Sequence, residues 1–177
     1  MRVEGRAGPR QPASSAASAR GRILPAMTVV LSVFVVVGGG LLAGVLFAVA
    51  LSVVPAFLAM APAEYVRVHQ LVGRHFDKVM PPLVLACTAA DLVLFAAAPP
   101  SPYRPLFAAA AALQLGVSAV SQFGNVPINR AVKRLSPAAM PAGWRDPRSR
   151  WRAWHLTRTA MAVLASLANV CAVVLAG

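Results

Sequence analysis

Four apolar stretches account for most of this chain, and each is long enough to cross a lipid bilayer. They cover about residues 27–54, 79–98, 105–126 and 156–175 of the 177. A membrane-spanning helix needs roughly 20 apolar residues to cross ~30 Å of hydrocarbon. Because hydrocarbon offers the backbone no water, each stretch must be helical there. The sequence therefore predicts an all-α integral membrane protein with the fold of a four-helix bundle.

Residues 1–26 differ in composition from the rest, being rich in Arg, Ala, Ser and Pro. Such a segment has few large apolar side chains to bury, so we expect a disordered basic N-terminal tail. The four-helix domain then covers 27–177, and its fourth helix is expected over 147–175. Asp146 before Pro147 predicts that start, because an N-cap acid followed by proline at the first helical position is a typical helix-start signal.

The chain is strongly basic, with 17 Lys and Arg against five Asp and Glu. The basic residues flank the apolar stretches, as the positive-inside rule describes, so we expect the lipid bilayer as a partner and no nucleic acid. Eleven of the 17 lie in the first and third connections, and six lie in the tail and the second connection. This asymmetry predicts a multi-pass protein of the cell membrane with the first and third loops cytoplasmic. The five tail arginines oppose that orientation, and a translation start at Met27 would remove the conflict.

Residues 62–78 are typical of an amphipathic segment at the membrane surface. The segment contains His69, His75 and Asp77, whose side chains are chemically suited to bind a metal. A compact ligand motif, such as two histidines four residues apart, is missing from it. We therefore expect solvated surface histidines and no metal site.

Polar side chains inside the predicted spans are few and follow a pattern. At ~100° per residue, those of the third span form one stripe along one helix face. The members of this stripe are Gln114, Ser118, Ser121, Gln122, Asn125 and Asn129. On the fourth helix, Trp151, His155 and Arg158 share a face. Asp91 stands alone in the second span, where an ionisable group is costly and marks a functional candidate.

A rise of ~1.5 Å per residue places these side chains in two layers. Asp91, Gln114 and Asn169 come to one depth, and we expect Asp91 to face the interior and hydrogen-bond to one of the other two. The second layer gathers near the cytoplasmic end of the bundle. Its members are Gln122, Asn125, Asn129, Trp151, His155 and Arg158. A mostly apolar site with a few convergent polar groups is typical of a small-molecule pocket, here for a lipophilic ligand.

Two sequence elements carry a family resemblance. Residues 125–130 read Asn-Val-Pro-Ile-Asn-Arg, and Trp151, His155 and Arg158 form a W-x-x-x-H-x-x-R pattern. Together they resemble the anthrone oxygenase-like family of small four-helix membrane proteins. The resemblance implies oxidation of an anthrone to an anthraquinone with dioxygen and no cofactor, as in the few characterised members. In agreement with this, no haem, flavin or nicotinamide motif is visible in the sequence.

The candidate catalytic residues are His155, Arg158 and Asp91. The candidate substrate-binding residues are Gln122, Asn125, Asn129, Trp151 and Gln114. In this hypothesis, a neutral His155 removes a proton as general base. Arg158 and the neighbouring amides stabilise the enolate oxygen that results.

A non-enzymatic role is the alternative. The protein would then be a small carrier or an accessory subunit whose polar stripe only packs helices against each other. A carrier of this size would need to dimerise, so a homo-oligomer belongs to this alternative.

Overall fold

The computed structural model describes residues 13–176, except for the side chains of 13–25, 74, 75 and 77. The described residues form α-helices and two π-helical turns, and they contain no strand. The helices are α1 (Ala13–Ala48), α2 (Val54–Ala59), α3 (Pro62–Ala97), α4 (Arg104–Val120), α5 (Val126–Lys133) and α6 (Arg148–Ala176). The π-helical turns are Val49–Val53, between α1 and α2, and Ser121–Asn125, between α4 and α5.

Four helical rods result, because each π-helical turn joins its neighbouring helices without a break. Their apolar parts, long enough to cross a membrane, are Ala26–Ala59, Lys78–Ala97, Arg104–Lys133 and Arg148–Ala176. Helix α1 packs against α3 and α6, and α4 packs against the same two helices. The prediction of an all-α four-helix membrane bundle is confirmed, with the first and third spans longer than expected.

The outer faces of all four rods are apolar. Large side chains that are more than half exposed occur on every rod, for example Val33, Leu51, Leu85, Leu115 and Leu164. In water such a surface would be a liability, since soluble proteins rarely expose contiguous apolar patches of this extent. The surface fits contact with membrane lipid.

Each π-helical turn ends two residues before a proline, Pro55 or Pro127. A proline lacks the N–H that would bond to the carbonyl four residues earlier, and its ring clashes with that carbonyl. The wider turn relieves this conflict through five-residue hydrogen bonds, such as that from the N–H of Val126 to the carbonyl of Ser121. Both rods therefore continue through their prolines.

Two segments are more helical than the sequence predicts. Helix α1 begins at Ala13, so residues 13–26 of the expected disordered tail are helical, while residues 1–12 lie outside the described residues. Alanine and arginine are strong helix formers, and extending an existing helix needs no new nucleus. Residues 62–78 are not a separate surface segment, because α3 runs unbroken into the second span.

Arg148 fastens the start of α6 to the end of α2. Its Nη1 donates to the carbonyl oxygens of Phe57 and Met60 at 2.7 and 2.6 Å, which lie where a helix end leaves carbonyls without helical partners. Asp146 accepts hydrogen bonds from the backbone N–H and the Nε of Arg148, both at 2.9 Å. Helix α6 thus begins at Arg148, one residue after the start expected from Asp146 and Pro147. The Arg148 hydrogen bonds hold the pKa of Asp146 below its usual value.

Candidate functional site

Asp91 and Gln114 lie in a buried polar cluster of the bundle interior, where each is at most 1% exposed. Gln114 Nε2 donates to Asp91 Oδ2 at 3.0 Å. This contact confirms the expected interior position of Asp91 and one of its two expected partners. Asn169 of α6 is fully buried as well. None of these three side chains is among the described residues that line the cavity between α1, α3, α4 and α6.

A cavity of about 260 Å³ lies between α1, α3, α4 and α6, toward the end of the bundle where α3 and α6 begin. Its wall is mostly apolar, with Leu42, Val84 and Val117 among its members. The polar members of the wall are His69, Ser118, Ser121, Gln122, Asn129, Trp151, His155 and Arg158. The volume is close to the lower end of the ~300–1,000 Å³ typical of small-molecule sites. The structure thus brings together five of the predicted site residues, namely Gln122, Asn129, Trp151, His155 and Arg158.

A row of rings forms one side of this cavity. The rings of Trp151 and His155 are stacked, with centroids 5.2 Å apart and planes 12° apart. Trp151 also meets His69 edge-on at 5.7 Å, and His69 stacks on Phe57 at 5.3 Å. Flat aromatic molecules favour such offset-stacked and edge-on contacts. The wall is therefore suited to a flat ring system.

Asn129 Oδ1 accepts two hydrogen bonds in the cavity wall. Trp151 Nε1 donates to it at 2.9 Å, and because an indole N–H can only donate, the amide oxygen must face the indole. His69 Nε2 lies 3.1 Å from the same oxygen. Since a carbonyl oxygen only accepts, Nε2 carries the ring proton and donates. In the neutral ring of His69, the lone pair therefore lies on Nδ1.

Both ring nitrogens of His155 are engaged, and the side chain is fully buried. Arg158 Nη2 lies 2.9 Å from Nδ1, and because a guanidinium can only donate, Nδ1 accepts. Nε2 lies 3.0 Å from the carbonyl oxygen of Leu46, which can only accept, so Nε2 donates. The predicted role of His155 as general base would therefore require Arg158 to leave Nδ1 first.

Arg158 brings a positive charge into this apolar wall from α6. Its Nη1 donates to Ser121 Oγ at 3.4 Å, in the π-helical turn between α4 and α5. A guanidinium has five N–H donors in a planar fork. Arg158 holds His155 and Ser121 in place, and its side chain lines the cavity.

Asn125 and Gln122 differ in their relation to the cavity. Gln122 lines it and is also exposed on the bundle surface. Asn125 is fully buried, and its Nδ2 donates to the carbonyl oxygen of Trp151 at 3.2 Å. Asn125 therefore links the third rod to α6 and lies outside the described lining of the cavity, as do Gln114 and Asp91.

His69 is the site residue that the sequence analysis missed. The expectation of a solvated surface histidine is wrong for it, since it is only 4% exposed. It follows Tyr65 by four residues and Val66 by three, and both are fully buried, so it lies on the apolar face of α3. That spacing was the signal available in the sequence. The side chains of His75 and Asp77 lie outside the described residues.

Tyr65 packs edge-on against the ring of His69, with centroids 5.3 Å apart. Burial raises the pKa of Tyr65 well above its usual value. The phenol therefore stays protonated at neutral pH. Within the described part of the chain, no group of three or more His, Cys, Asp or Glu side chains is placed to hold a metal ion. The polar chemistry of this region comes from imidazole, guanidinium, amide and hydroxyl groups.

The profile of the anthrone oxygenase family matches residues 68–168, more than half of the 177 residues. The chain belongs to the anthrone oxygenase family. The matched region begins one residue before His69 and ends beyond Arg158, so it contains every polar residue of the cavity wall. Helices α1 and α2 lie outside the matched region and contribute apolar side chains to the wall. No curated protein and no solved structure matches the chain.

Proposed function

We propose that this protein oxidises a flat, lipophilic, phenolic molecule of the anthrone class with dioxygen inside the bundle cavity. The observation that carries the proposal is the Arg158 guanidinium in a mostly apolar wall, beside the stacked rings of Trp151 and His155. Membership of the anthrone oxygenase family supports the same class of reaction.

The cavity suits a ring system that is apolar on its faces and polar at one edge. The aromatic rings, Trp151 among them, form one side of the cavity, and apolar side chains of α1 and α3, with Val117 of α4, form most of the rest. Ser118 Oγ is buried and has no hydrogen-bond partner among the described residues. Because a buried hydroxyl without a partner is costly, it is suited to bond a hydroxyl or carbonyl of the ligand.

The reaction needs a proton acceptor, a group that stabilises an oxyanion, and dioxygen. Removal of one methylene proton converts an anthrone into an enolate whose charge lies on the former carbonyl oxygen. Arg158 would stabilise this oxygen, and the low polarity of the surroundings strengthens the attraction.

The electron-rich carbon of the enolate then reacts with dioxygen. The enolate gives one electron to dioxygen, and the resulting radical and superoxide combine to form a C–O bond. Protonation yields a hydroperoxide. Loss of the second methylene proton, with cleavage of the O–O bond, forms the second carbonyl and releases water. One anthrone and one dioxygen thus give one anthraquinone and one water.

The geometry supports different roles for the other predicted residues. His155 accepts from Arg158 and is anchored to the Leu46 carbonyl, so it positions the guanidinium. Asn125 holds the backbone of Trp151. Asp91 bonds to Gln114 in the separate polar cluster, so we assign it to packing of the bundle.

Turnover by the purified protein tests the proposal. Wild-type protein in lipid nanodiscs is incubated in air with 1,8-dihydroxyanthrone, and anthraquinone formation and oxygen uptake are followed. We expect one dioxygen consumed per anthraquinone, at a rate above that of protein-free nanodiscs. Arg158→Met should lower kcat by about 10²- to 10³-fold, the range for removing one oxyanion donor. Arg152→Met, at an exposed position of the same helix, is the matched control.

A rate equal to that of protein-free nanodiscs would contradict the proposal. If the anthraquinone product nevertheless quenched the tryptophan fluorescence at saturating, stoichiometric levels, the protein would bind such molecules without converting them. That result would favour the alternative of a carrier for lipophilic molecules.

A further inference from the structure

We infer that the cavity opens sideways into the membrane between α3 and the third rod, and that the Gln122 amide at this opening selects flat molecules with hydroxyl or carbonyl groups over lipid acyl chains. The third rod consists of α4, the π-helical turn Ser121–Asn125 and α5. The class of ligand rests on the proposed function. The position of the opening rests on exposure and packing alone.

Pro81, Leu85 and Gln122 line the cavity and are also exposed on the outside of the bundle. The first two belong to α3, and Leu85 is 57% exposed. Gln122 belongs to the third rod. A side chain that borders the cavity and the outer surface at once marks a point where the described residues do not close the cavity. The wall is therefore open beside these side chains.

The packing of α3 shows on which side of this helix the opening lies. A Cβ at Gly38 of α1 would lie 2.9 Å from Cys87 Sγ and 3.5 Å from Leu83 Cδ1, so these two side chains face α1. Leu85 is two residues from each of them, which is roughly 200° around a helix. Since α3 packs against α1 and α4, the open wall at Leu85 is on the side of α4. Gln122 forms the opposite edge, on the third rod.

The two edges of the opening lie at a similar depth, within the apolar part of the bundle. The nearest basic residue along each rod is Lys78 for Leu85 and Arg130 for Gln122. At ~1.5 Å per residue, Leu85 is roughly 10 Å and Gln122 roughly 12 Å from these charged positions. Both residues belong to stretches that are long and apolar enough to cross a membrane. The opening therefore faces acyl chains.

Gln122 places an amide at this opening, and no described residue forms a hydrogen bond with it. An amide has two N–H donors and a carbonyl acceptor. Hydrocarbon offers neither a donor nor an acceptor, so the amide stays unpaired whenever an acyl chain covers it. A phenolic hydroxyl or a quinone carbonyl pairs with it. Occupation by such a ligand is therefore favoured over occupation by lipid.

A cavity that opens into lipid needs such a selecting group, because its wall is mostly apolar. Acyl chains surround the opening and outnumber any dissolved aromatic molecule. The row of rings along one side of the cavity favours flat molecules through stacking. Specificity is a difference of affinities, and a polar group that one competitor leaves unpaired adds to that difference. Gln122 is thus a residue that determines specificity, without a part in the chemical steps.

Equilibrium binding of two ligands of similar shape tests the role of Gln122. 1,8-Dihydroxyanthraquinone carries hydroxyl and carbonyl groups, and anthracene has the same three fused rings without them. Each is titrated into the protein in lipid nanodiscs and followed by quenching of tryptophan fluorescence. Gln122→Met should weaken binding of the anthraquinone by about 3- to 15-fold, the equivalent of one hydrogen bond between membrane helices, and leave that of anthracene unchanged. If this variant did not fold, Gln122→Ala would be titrated in its place.

Phe123→Met is the matched control, because Phe123 is the next residue, is exposed and lies outside the cavity wall. It should bind both ligands as wild type does.

The rate of association tests the opening itself. Leu85→Trp adds bulk at its edge and should slow the association of 1,8-dihydroxyanthraquinone in stopped-flow quenching. Leu92→Trp is the matched control, since Leu92 lies two turns further along the same face of α3, is 49% exposed and does not line the cavity. Its association rate should equal that of wild type.

The outcomes separate this inference from the proposed function. An unchanged affinity ratio of the two ligands in the Gln122 variant would overturn the selecting role, and equal association rates of Leu85→Trp and Leu92→Trp would overturn the opening. Neither result affects the proposed oxidation, which is measured by wild-type turnover. Selective binding without turnover would remove the proposed function and leave the inference in place. Failure of wild type to bind either ligand would remove both.

Discussion

Asp91 is a carboxyl group in the middle of the bundle, and Gln114 is its hydrogen-bond donor across the α3–α4 contact. Removal of one partner leaves the other buried and without its bond, which costs about 1–3 kcal/mol. Removal of both avoids that penalty. The hydrogen-bonded pair therefore contributes to the stability of the bundle.

A double-mutant cycle measures this contact. Asp91→Ala and Gln114→Ala should each lower the free energy of unfolding in mild detergent, and the double variant should lose less than the two single losses together. The coupling energy should be about 0.6–1.7 kcal/mol, the range found for hydrogen bonds between membrane helices. A coupling near zero would contradict the contact. Loss of turnover by a stable Asp91→Asn variant would instead indicate that Asp91 takes part in the reaction.

At the scale of single helices, the π-helical turn Ser121–Asn125 explains why the sequence could not predict every residue of the third rod that faces the cavity. Apolar length and the 3.6-residue period were enough to predict the four helices and the meeting of Asn129 with Trp151, His155 and Arg158. A regular helix would continue the polar stripe from Ser118 and Gln122 to Asn125. The wider turn adds a residue, so the cavity wall takes Val126 instead. A prediction that assumes 3.6 residues per turn throughout cannot reveal this change from Asn125 to Val126, although Pro127 indicates where it occurs.

The contact between α1 and α3 depends on a close approach at Gly38. A Cβ at this position would lie 2.9 Å from Cys87 Sγ, whereas a Cβ at Gly40 would meet nothing within 4 Å. Gly38→Ala should therefore lower the free energy of unfolding by about 1–3 kcal/mol through overpacking. Gly40→Ala, the matched control, should leave it unchanged or raise it by up to about 1 kcal/mol, because alanine favours the helix. Equal unfolding midpoints for the two variants would show that the helices are farther apart.

The contact between α2 and the start of α6 should depend on pH through Asp146. Because Arg148 lowers the pKa of this carboxyl in the folded protein, its contribution to stability is complete above the ordinary value of 3.8. The contribution is lost as the pH falls through the lowered pKa. Asp146→Asn should therefore unfold at a lower temperature than wild type at neutral pH, and the difference should shrink below that ordinary value. A difference that persisted at strongly acidic pH would contradict this assignment.

For the whole molecule, the basic residues predict the orientation in the membrane. We propose that the connection over residues 134–147 faces the cytoplasm, together with the start of α3. In intact cells, a membrane-impermeant maleimide should label Ser101→Cys, in the connection before α4, and should label Ala139→Cys only after permeabilisation. Wild type, whose Cys87 and Cys171 lie within spans, gives the background. Labelling of Ala139→Cys from outside would reverse the orientation.

Phe76 and Leu85 line the cavity and are also exposed on the outer surface of α3, at 38% and 57%. Leu85 lies in the part of α3 that is long and apolar enough to span a membrane. A molecule dissolved among acyl chains thus meets the wall of the cavity without first crossing water. Its effective concentration is then its mole fraction in the membrane, not its amount per litre of buffer. Adding empty vesicles to a reaction would spread the same substrate over more lipid and slow its oxidation. The hydrophobicity of a substrate sets its concentration in the membrane. It would therefore affect the rate of oxidation as much as the fit of the substrate to the cavity does.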